Sequence, residues 1–257
     1  NREFEPDMVG RILRAAALIK DDEGSDAVVF ERQDGTPGRV ERQAEVVEDQ
    51  PLRGDDPVVL QVSRWDALKD PLGVILGFAK HVPAETGAHL VYAGPSVEGV
   101  TDDPEGRQVL GSSIAAREAL PEESRRRIHL TTLPIDDFDE NAIIVNALQR
   151  HALVVTQKSI AEGFGLTVAE AMWKARPVVA SRVGGIQDQL VDGESGALLD
   201  DPRDLAAFGR AITGLLRDPE RAQRIGAAAH ERVRDRLLSV QSLLDYLALI
   251  RRLGVGS

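Results

Sequence analysis

The stretch ALVVTQKSIAEGFGLTVAEAMW, residues 152–173, decides the fold of this chain. Residues 152–156 form an apolar run typical of a buried strand, and from Leu166 onward the apolar residues recur at helical spacing. A glycine-rich turn, residues 162–165, joins the two. Glycines let the backbone approach a ligand closely, and the unpaired N–H groups of a helix start point toward it. The stretch therefore predicts a strand, a tight turn and a helix that together form an anion site.

Alternation of apolar runs and amphipathic segments continues on both sides of this stretch. Five further strands are predicted at 58–62, 89–94, 127–132, 177–181 and 196–199. Helices are predicted at 71–82, 104–120, 140–150, 203–216, 220–236 and 240–253. This order indicates an α/β fold with a doubly wound parallel sheet, in which ligands collect at the carboxyl ends of the strands. The last three helices are expected to pack against the core.

Residues 1–57 follow a different pattern and are predicted to form an extension of the domain at 58–257. The apolar spacing of residues 7–20 indicates a helix. Two β-type runs, 27–32 and 39–47, flank a glycine-containing loop and indicate a hairpin. The acidic segments 21–26 and 48–57 are expected to be mobile.

Composition and charge exclude several function classes. The chain has 257 residues, with 42% hydrophobic and 28% charged residues, which is typical of a globular protein. A net charge of -11 argues against nucleic acid as a partner, because the phosphate backbone requires a basic face. No apolar run approaches the roughly 18 residues of a membrane span. There is no cysteine and no signal-peptide pattern, so we expect no disulfide, no thiolate metal site and a cytoplasmic location.

No metal site is predicted. The five histidines are scattered, without metal-ligand spacing. Asp137 and Asp139 have the D-x-D spacing that many metal-dependent sugar transferases use, but they also directly precede a helical pattern. Acids are favourable at a helix N-terminus, and we prefer that interpretation.

The loop after the first predicted strand supplies two cations at the ligand edge of the sheet. Ser63, Arg64 and Lys69 lie in this loop. An anionic nucleoside diphosphate leaving group needs positive charge, which a planar guanidinium and a mobile ammonium can supply. The alternative is an ordinary surface loop in which Lys69 pairs with its neighbour Asp70.

Two acids bracket the glycine turn and admit different interpretations. Glu170 could form a capping box with Thr167, which would make it a helix stabiliser only. It could instead accept hydrogen bonds from ribose hydroxyls, as acids in other dinucleotide folds do. Glu162 has no capping position, and with the amides of residues 163–165 it could hold sugar hydroxyls. Lys158 and Ser159 are expected to line the same cleft.

Four motifs in register resemble the nucleotide-sugar half of the retaining glycosyltransferases of family 4, which have the two-domain GT-B fold. They are Ser-Arg-x4-Lys at 63–69, Glu-x7-Glu at 162–170, Gly184-Gly185-Ile186, and Asp192-Gly193-x2-Gly196. The resemblance implies that this chain is the C-terminal, donor-binding half of such an enzyme, without the N-terminal acceptor domain. It also implies a nucleoside diphosphate sugar as substrate, with no metal and no cofactor.

Site residues follow from this resemblance by position. It implies that Arg64 and Lys69 bind the diphosphate, that Glu162 acts beside them in catalysis, and that Glu170 binds the ribose. The implied donor-binding set is Ser63, Arg64, Lys69, His129, Leu133, Lys158, Gly163, Phe164, Gly165, Leu166, Thr167 and Glu170. Within this set, the strand from His129 to Leu133 is expected to pass near the base.

A narrower resemblance is to the trehalose synthases of the glycosyltransferring type. It is carried by Gln157-Lys158-Ser159, by Glu-Ala-Met-Trp-Lys at 170–174, and by Val62 to Asp66 followed by Lys69-Asp70-Pro71. Gln187 departs from it, since that subgroup usually has proline there. The resemblance implies glucose transfer from a nucleoside diphosphate glucose to glucose with retention, giving α,α-trehalose. The isolated chain is then expected to bind donor without turnover.

Two other functions stay open at the level of sequence. A family 4 transferase with another acceptor, either sucrose-type or glycan-extending, would share the same donor half. A nucleotide-sugar-binding module without catalysis could also keep the fold. The predicted hairpin at 27–47 could pack on the acceptor domain, pair with a second subunit to form a homodimer, or do neither.

Overall fold

The strands form where the sequence predicts buried apolar runs. The computed structural model describes residues 2–21, 27–97 and 104–237. The strands are β1 (Val28–Glu31), β2 (Pro37–Val40), β3 (Glu45–Val47), β4 (Val58–Val62), β5 (His89–Pro95), β6 (Ile128–Leu133), β7 (Val154–Gln157), β8 (Val178–Ser181) and β9 (Ala197–Leu199). Within the described ranges, β1 and β2 pair antiparallel, and the main sheet has the order β3-β6-β5-β4-β7-β8-β9. Neighbours from β6 to β9 are parallel, whereas β3 joins β6 antiparallel.

Helices cover both faces of this sheet. They are α1 (Pro6–Ala15), α2 (Pro71–His81), α3 (Pro104–Glu118), α4 (Glu122–Arg125), α5 (Phe138–His151), α6 (Leu166–Trp173), α7 (Ile186–Gln189), α8 (Leu205–Arg217) and α9 (Pro219–Arg236). Successive strand residues belong to different hydrophobic clusters: Val58 and Leu60 pack with α1, α5 and α6, and Val59 packs with α2 and α8. Because both faces are covered, the strands are mostly apolar and do not alternate regularly between apolar and polar residues.

The order of the strands places the carboxyl ends of β4 and β7 side by side. From β4 the chain adds β5 and then β6 on one side, and it returns to add β7, β8 and β9 on the other. The sheet is therefore doubly wound, as the sequence predicts. The direction in which successive strands are added to the sheet reverses between the parallel strands β4 and β7. A crevice opens at such a switch point, outside the carboxyl ends of the two strands.

The N-terminal extension differs from its prediction in one strand. The run 39–47 was expected to form one arm of the hairpin, but it divides into β2 and β3, and β3 belongs to the main sheet. The break has a local cause: the backbone N–H groups of Glu41 and Arg42 donate to the buried carboxylate of Glu140, at 2.6 and 2.7 Å. These amides cannot also continue the ladder of the hairpin.

The helix predicted at 7–20 also ends early, at Ala15. Ala17 adopts a left-handed φ of 58°, and the N–H of Leu18 donates to the carbonyl of Leu13 at 2.8 Å. This is the hydrogen-bond pattern of a left-handed helix end, and it turns the chain back before residue 20.

The acidic segment 48–57 is held against the sheet, contrary to its prediction as mobile. Leu52 is buried, Glu48 contacts the His129 ring at 2.9 Å, and Asp49 contacts Arg117 at 2.8 Å. Its acids pair with buried cationic or imidazole groups, which composition alone does not show. Most of the other acidic segment, 21–26, and the predicted helix 240–253 lie outside the described residues.

Among the described residues, no helix is both long enough and apolar enough to cross a bilayer.

Candidate functional site

A cleft of about 330 Å³ lies at the switch point between β4 and β7. Residues of both strand-end loops and of the start of α6 line it: Val62, Ser63, Arg64, Lys69, Gln157, Glu162, Phe164, Gly165, Leu166 and Thr167. The structure thus brings the cationic loop at 63–69 and the glycine turn at 162–165 into one cavity. Proximity of these two loops is the geometric condition for the predicted anion site.

Lys69 bridges the cleft to Glu162. The ammonium nitrogen lies 2.6 Å from a carboxylate oxygen of Glu162, and both side chains are largely shielded, with exposures of 15% and 12%. The alternative in which Lys69 pairs with Asp70 is wrong, because the carboxylate of Asp70 contacts Lys158. Before any ligand enters, the ammonium of the cleft is therefore already neutralised by the acid of the opposite loop.

Arg64 lies at the rim of the cleft. Its side chain is 73% exposed and pairs with Asp66 at 3.0 Å. An ion pair of this exposure holds its partners weakly. The guanidinium can therefore turn toward an anion in the cleft at little cost, but in this structure it is not held over the glycine turn.

The glycine turn is supported from below by the loop at 184–186. Gly185 donates its N–H to the carbonyl of Gly163 at 2.7 Å. Gly184 has a φ of 51°, and a Cβ atom there would overlap the carbonyl oxygen of Glu162. Only glycine allows the two turns to approach this closely. The motif Gly184-Gly185 thus shapes the cleft indirectly, by fixing the backbone of residues 162–165.

Helix α6 begins directly at the cleft. Gly165, in the left-handed region with φ of 86°, precedes its first residue, Leu166. The first N–H groups of a helix have no carbonyl partner within it and carry its positive dipole end. The exposed side chains of Phe164 and Leu166 flank these amides.

The capping-box interpretation of Thr167 and Glu170 is wrong. Thr167 does not cap the helix, because its hydroxyl donates to the side-chain oxygen of Gln157 at 2.8 Å. Glu170 instead accepts a bond from the amide of Gln149 at 3.3 Å. It lies four residues after Leu166 and hence on the same helix face, one turn further from the cleft.

Lys174 gives Glu170 an unusual neighbour. Its ammonium donates to the backbone carbonyl of Glu170 at 3.2 Å. Burial lowers the pKa of Lys174 to about 8, and the charge of Glu170 opposes that shift.

Five residues of the predicted donor-binding set do not line the cleft: Gly163 and Glu170, which are close to it in sequence, and Lys158, His129 and Leu133. Lys158 is completely buried, and its ammonium faces Asp70 beneath the loops. His129 is near the amino end of β6, where its ring contacts His89 and Glu48, each at 2.9 Å. Leu133 is at the correct end of β6 but packs into the hydrophobic core. Strand β5 separates β6 from β4, which is why His129 and Leu133 do not reach the cleft.

Asp137 and Asp139 have structural partners. The Asp137 side chain accepts the N–H of Glu140 and so caps α5, and its carboxylate lies 2.6 Å from the guanidinium of Arg32. The hydrogen bond from Arg32, with that from the Glu140 backbone, lowers the pKa of Asp137 to about 2. Asp139 also lies 4.0 Å from Arg32. In the described ranges no group of three His, Asp or Glu side chains has metal-binding geometry.

Gln157 is a site residue to which the sequence reasoning gave no role of its own. It is buried at the end of β7, and its amide nitrogen donates to the hydroxyls of Ser63 and Ser159 at 3.0 and 2.9 Å. Its oxygen accepts from Thr167. One amide therefore connects β4, β7 and α6 below the cleft. The sequence did contain a signal for this role, because Gln157 is a polar residue that directly follows the apolar strand run at the edge where a ligand is expected.

Comparison with known proteins agrees with this geometry. Residues 138–232 match the family model of the glycosyl transferases group 1. A doubly wound sheet with its cleft at the β4–β7 switch point, together with this match, defines the class: the chain belongs to the group 1 glycosyltransferases, which have the GT-B fold.

Its relatives include a trehalose synthase from Rubrobacter xylanophilus, which is 44% identical over 198 residues, 77% of this chain and 44% of that protein. The fold is similar to that of a sucrose-phosphate synthase from Thermosynechococcus elongatus, with a TM-score of 0.62 and 28% identity over 80% of this chain and 47% of that one. It is also similar to Anabaena Alr3699/HepE, solved in complex with UDP-glucose, with a TM-score of 0.56 and 22% identity over 76% of this chain and 49% of that one. The chain spans about half the length of the relatives that it matches.

Proposed function

We propose that this chain is the donor-binding part of a retaining glycosyltransferase that transfers glucose from a nucleoside diphosphate glucose to glucose and forms trehalose. One observation carries the proposal: an ammonium, a mobile guanidinium and the first amides of α6 surround a single cleft at the switch point of the sheet. Membership of the family and the trehalose synthase relative support the class of reaction.

The proposed binding mode starts with an exchange of partners at Lys69. A diphosphate that enters the cleft offers Lys69 more negative charge than the single carboxylate of Glu162 does. Lys69 and Arg64 then neutralise the bridging oxygen, which becomes anionic as the glycosidic bond breaks, with help from the dipole of α6. In this proposal these charges come from the protein and need no metal ion.

When Lys69 leaves Glu162 for the diphosphate, the Glu162 carboxylate becomes available to bind the donor glucose. This carboxylate, beside the amides of residues 163–165, can accept hydrogen bonds from the hydroxyls of the donor glucose. Glu170, one turn along α6, is placed to accept the ribose hydroxyls if the nucleoside lies along that helix face.

The acceptor belongs to the rest of the proposed enzyme. Because the chain spans about half of the relatives that it matches, we propose that an N-terminal domain completes the site and that this chain alone binds donor without turnover. A transfer assay with this chain, beside one with a chain of the relatives' full length, tests this step. Product formation by this chain alone would contradict it.

Binding of the donor is the direct test of the proposal. Calorimetric titration with UDP-, ADP- and GDP-glucose should give one saturable site for at least one of them, and glucose 1-phosphate serves as the control without a diphosphate. If none of the three binds, the chain is not a donor module and the proposed function is wrong.

A sucrose-type acceptor is the second candidate, favoured by the similarity to the sucrose-phosphate synthase structure. It predicts the same donor binding by this chain. The two candidates separate only in the full-length protein, by whether glucose or a fructose-type sugar accepts the glucosyl group.

A further inference from the structure

Lys158 is a buried cation that the proposed mechanism does not use. Its side chain has 0% exposure, and its ammonium contacts the carboxylate of Asp70. A desolvated ammonium is costly to bury and persists only with a well-placed partner. Here the partner is the residue directly after Lys69, the cation that we place at the diphosphate.

Two side chains, those of Gln61 and Lys158, contact Lys69 and Asp70. The side-chain amide of Gln61 makes two hydrogen bonds. Its oxygen accepts the backbone N–H of Lys158 at 3.1 Å, and its nitrogen donates to the backbone carbonyl of Lys69 at 2.9 Å. The Lys158 ammonium completes the ring through Asp70. The Lys69 carbonyl is thus bonded by a side chain of β4, and the Asp70 carboxylate is contacted by a side chain that directly follows β7.

Asp70 itself is in an unusual conformation that these contacts stabilise. Its backbone is left-handed, with φ of 50° and ψ of 51°, and its carboxylate caps α2 by accepting the N–H of Gly73 at 3.0 Å. A side chain at position 73 would collide with this carboxylate and with the Lys158 ammonium. The left-handed turn separates the directions of successive side chains, so that Asp70 points below the loop and Lys69 points across the cleft to Glu162.

We propose that Lys158 is a positioning residue: through Asp70 it sets the place of the Lys69 ammonium at the diphosphate site, without touching the ligand. This inference rests on the proposed function, because it assigns the buried pair a role in donor binding. A purely structural pair would instead stabilise the whole cleft, including parts of the site that do not depend on Lys69.

A double-mutant cycle on UDP affinity distinguishes the two roles, with ADP or GDP in its place if the base preference requires it. Lys158→Met should weaken binding by about tenfold when Lys69 is present, and by less than about twofold in the Lys69→Ala background. Affinity is measured by calorimetry on chains whose circular dichroism matches that of the unmodified protein.

A second variant keeps the test valid if Lys158→Met does not fold. The double change Lys158→Met with Asp70→Asn removes both charges of the pair, so that neither is left unpaired, and the asparagine keeps an oxygen for the cap of α2. This variant should also weaken UDP binding about tenfold when Lys69 is present and less than about twofold in the Lys69→Ala background.

Each outcome has a defined meaning. Equal weakening in both backgrounds, or no weakening in either, would overturn the positioning role while leaving the proposed function intact. If the unmodified chain binds no nucleoside diphosphate, the proposed function fails, and this inference fails with it.

Discussion

Two lysine–carboxylate pairs connect the same two loops, and burial makes them different. Lys69 of the β4 loop reaches Glu162 of the β7 loop, and Lys158 at the end of β7 reaches Asp70 of the β4 loop. The first pair lines an open cleft, whereas the second has a lysine with no exposure and an ammonium 6.0 Å from the centre of the Phe208 ring.

The difference shows how similar chemistry can serve binding in one place and architecture in the other. In the cleft pair, an entering anion can replace Glu162, because both side chains line the cleft that the anion enters. In the second pair the Lys158 ammonium has no exposed surface, so no anion can reach it to replace Asp70, although the Asp70 side chain itself is 20% exposed. Each loop thus contributes one lysine and one carboxylate. The pair of Lys158 and Asp70 fixes the two loops relative to each other, and the pair of Lys69 and Glu162 can open when an anion binds.

The largest expected effect is on stability. Lys158→Met should lower the free energy of unfolding by about 3–5 kcal/mol, because it breaks an ion pair whose lysine is completely buried and leaves Asp70 without its cation. The matched change Lys69→Met should cost less, about 1 kcal/mol, because the pair lines an open cleft through which water can reach the Glu162 carboxylate once the lysine is removed. Urea denaturation followed by circular dichroism measures both. Equal losses would show that the two pairs do not differ in the way proposed.

The next effect is on ligand affinity. Lys69→Ala should weaken binding of a nucleoside diphosphate by about 1.5–3 kcal/mol, the range of a charge-assisted hydrogen bond. Calorimetry at fixed ionic strength measures it, and Arg210→Ala, a change of an exposed arginine on α8, serves as the control. An unchanged affinity would remove Lys69 from the site.

A smaller effect of opposite sign is expected at Glu162. Glu162→Gln removes the carboxylate that competes for Lys69, so binding of the free diphosphate should tighten by about 0.5–1 kcal/mol, typical of a solvent-accessible ion pair. Binding of the nucleoside diphosphate glucose should gain less or weaken, because the same substitution removes an acceptor for sugar hydroxyls. If both ligands respond identically, Glu162 does not distinguish the sugar.

The smallest effect concerns a third ion pair, that of Arg32 with Asp137, which lies outside both cleft loops and is partly exposed. Arg32, by hydrogen bonding, lowers the pKa of Asp137 to about 2, below the value of about 3.9 expected in the unfolded chain. The contribution of this pair is therefore complete above pH 4 and lost as the pH falls through about 2. Hydrogen exchange of the β1–β2 amides should accelerate over this interval. In Asp137→Asn, which keeps an oxygen for the cap of α5, that part of the acid response should be absent.

Most elements could be predicted from the sequence because their signals are local. Strand β4 was predicted at 58–62 and is found there, and the start of α6 at Leu166 agrees as well. The errors fall where a distant side chain competes for the backbone. Glu140, which lies about a hundred residues further along the chain, takes the amides of residues 41 and 42 and so divides a strand that looks continuous in the sequence.

The candidate site shows the same division. The glycine turn and the cationic loop were predictable, because both follow apolar strand runs at the carboxyl edge of a parallel sheet. Lys158 was placed in the cleft wrongly, since neither its neighbours nor its spacing indicates whether its side chain points up to the cleft or down to the core. That the strand from His129 to Leu133 passes near the base stays a prediction, but the His129 ring lies near the amino end of β6, against His89 and Glu48, which the sequence does not show.

By itself, then, the sequence determined the alternation of strands and helices, the doubly wound sheet and the edge at which a ligand would bind, because apolar periodicity acts over a few residues. Only the tertiary structure decided the partners of the charges. Asp70 follows Lys69 directly, yet each pairs with a residue about ninety positions away. A left-handed backbone at Asp70 turns the two neighbouring side chains apart, and the packing of β4 against β7 brings their true partners within reach.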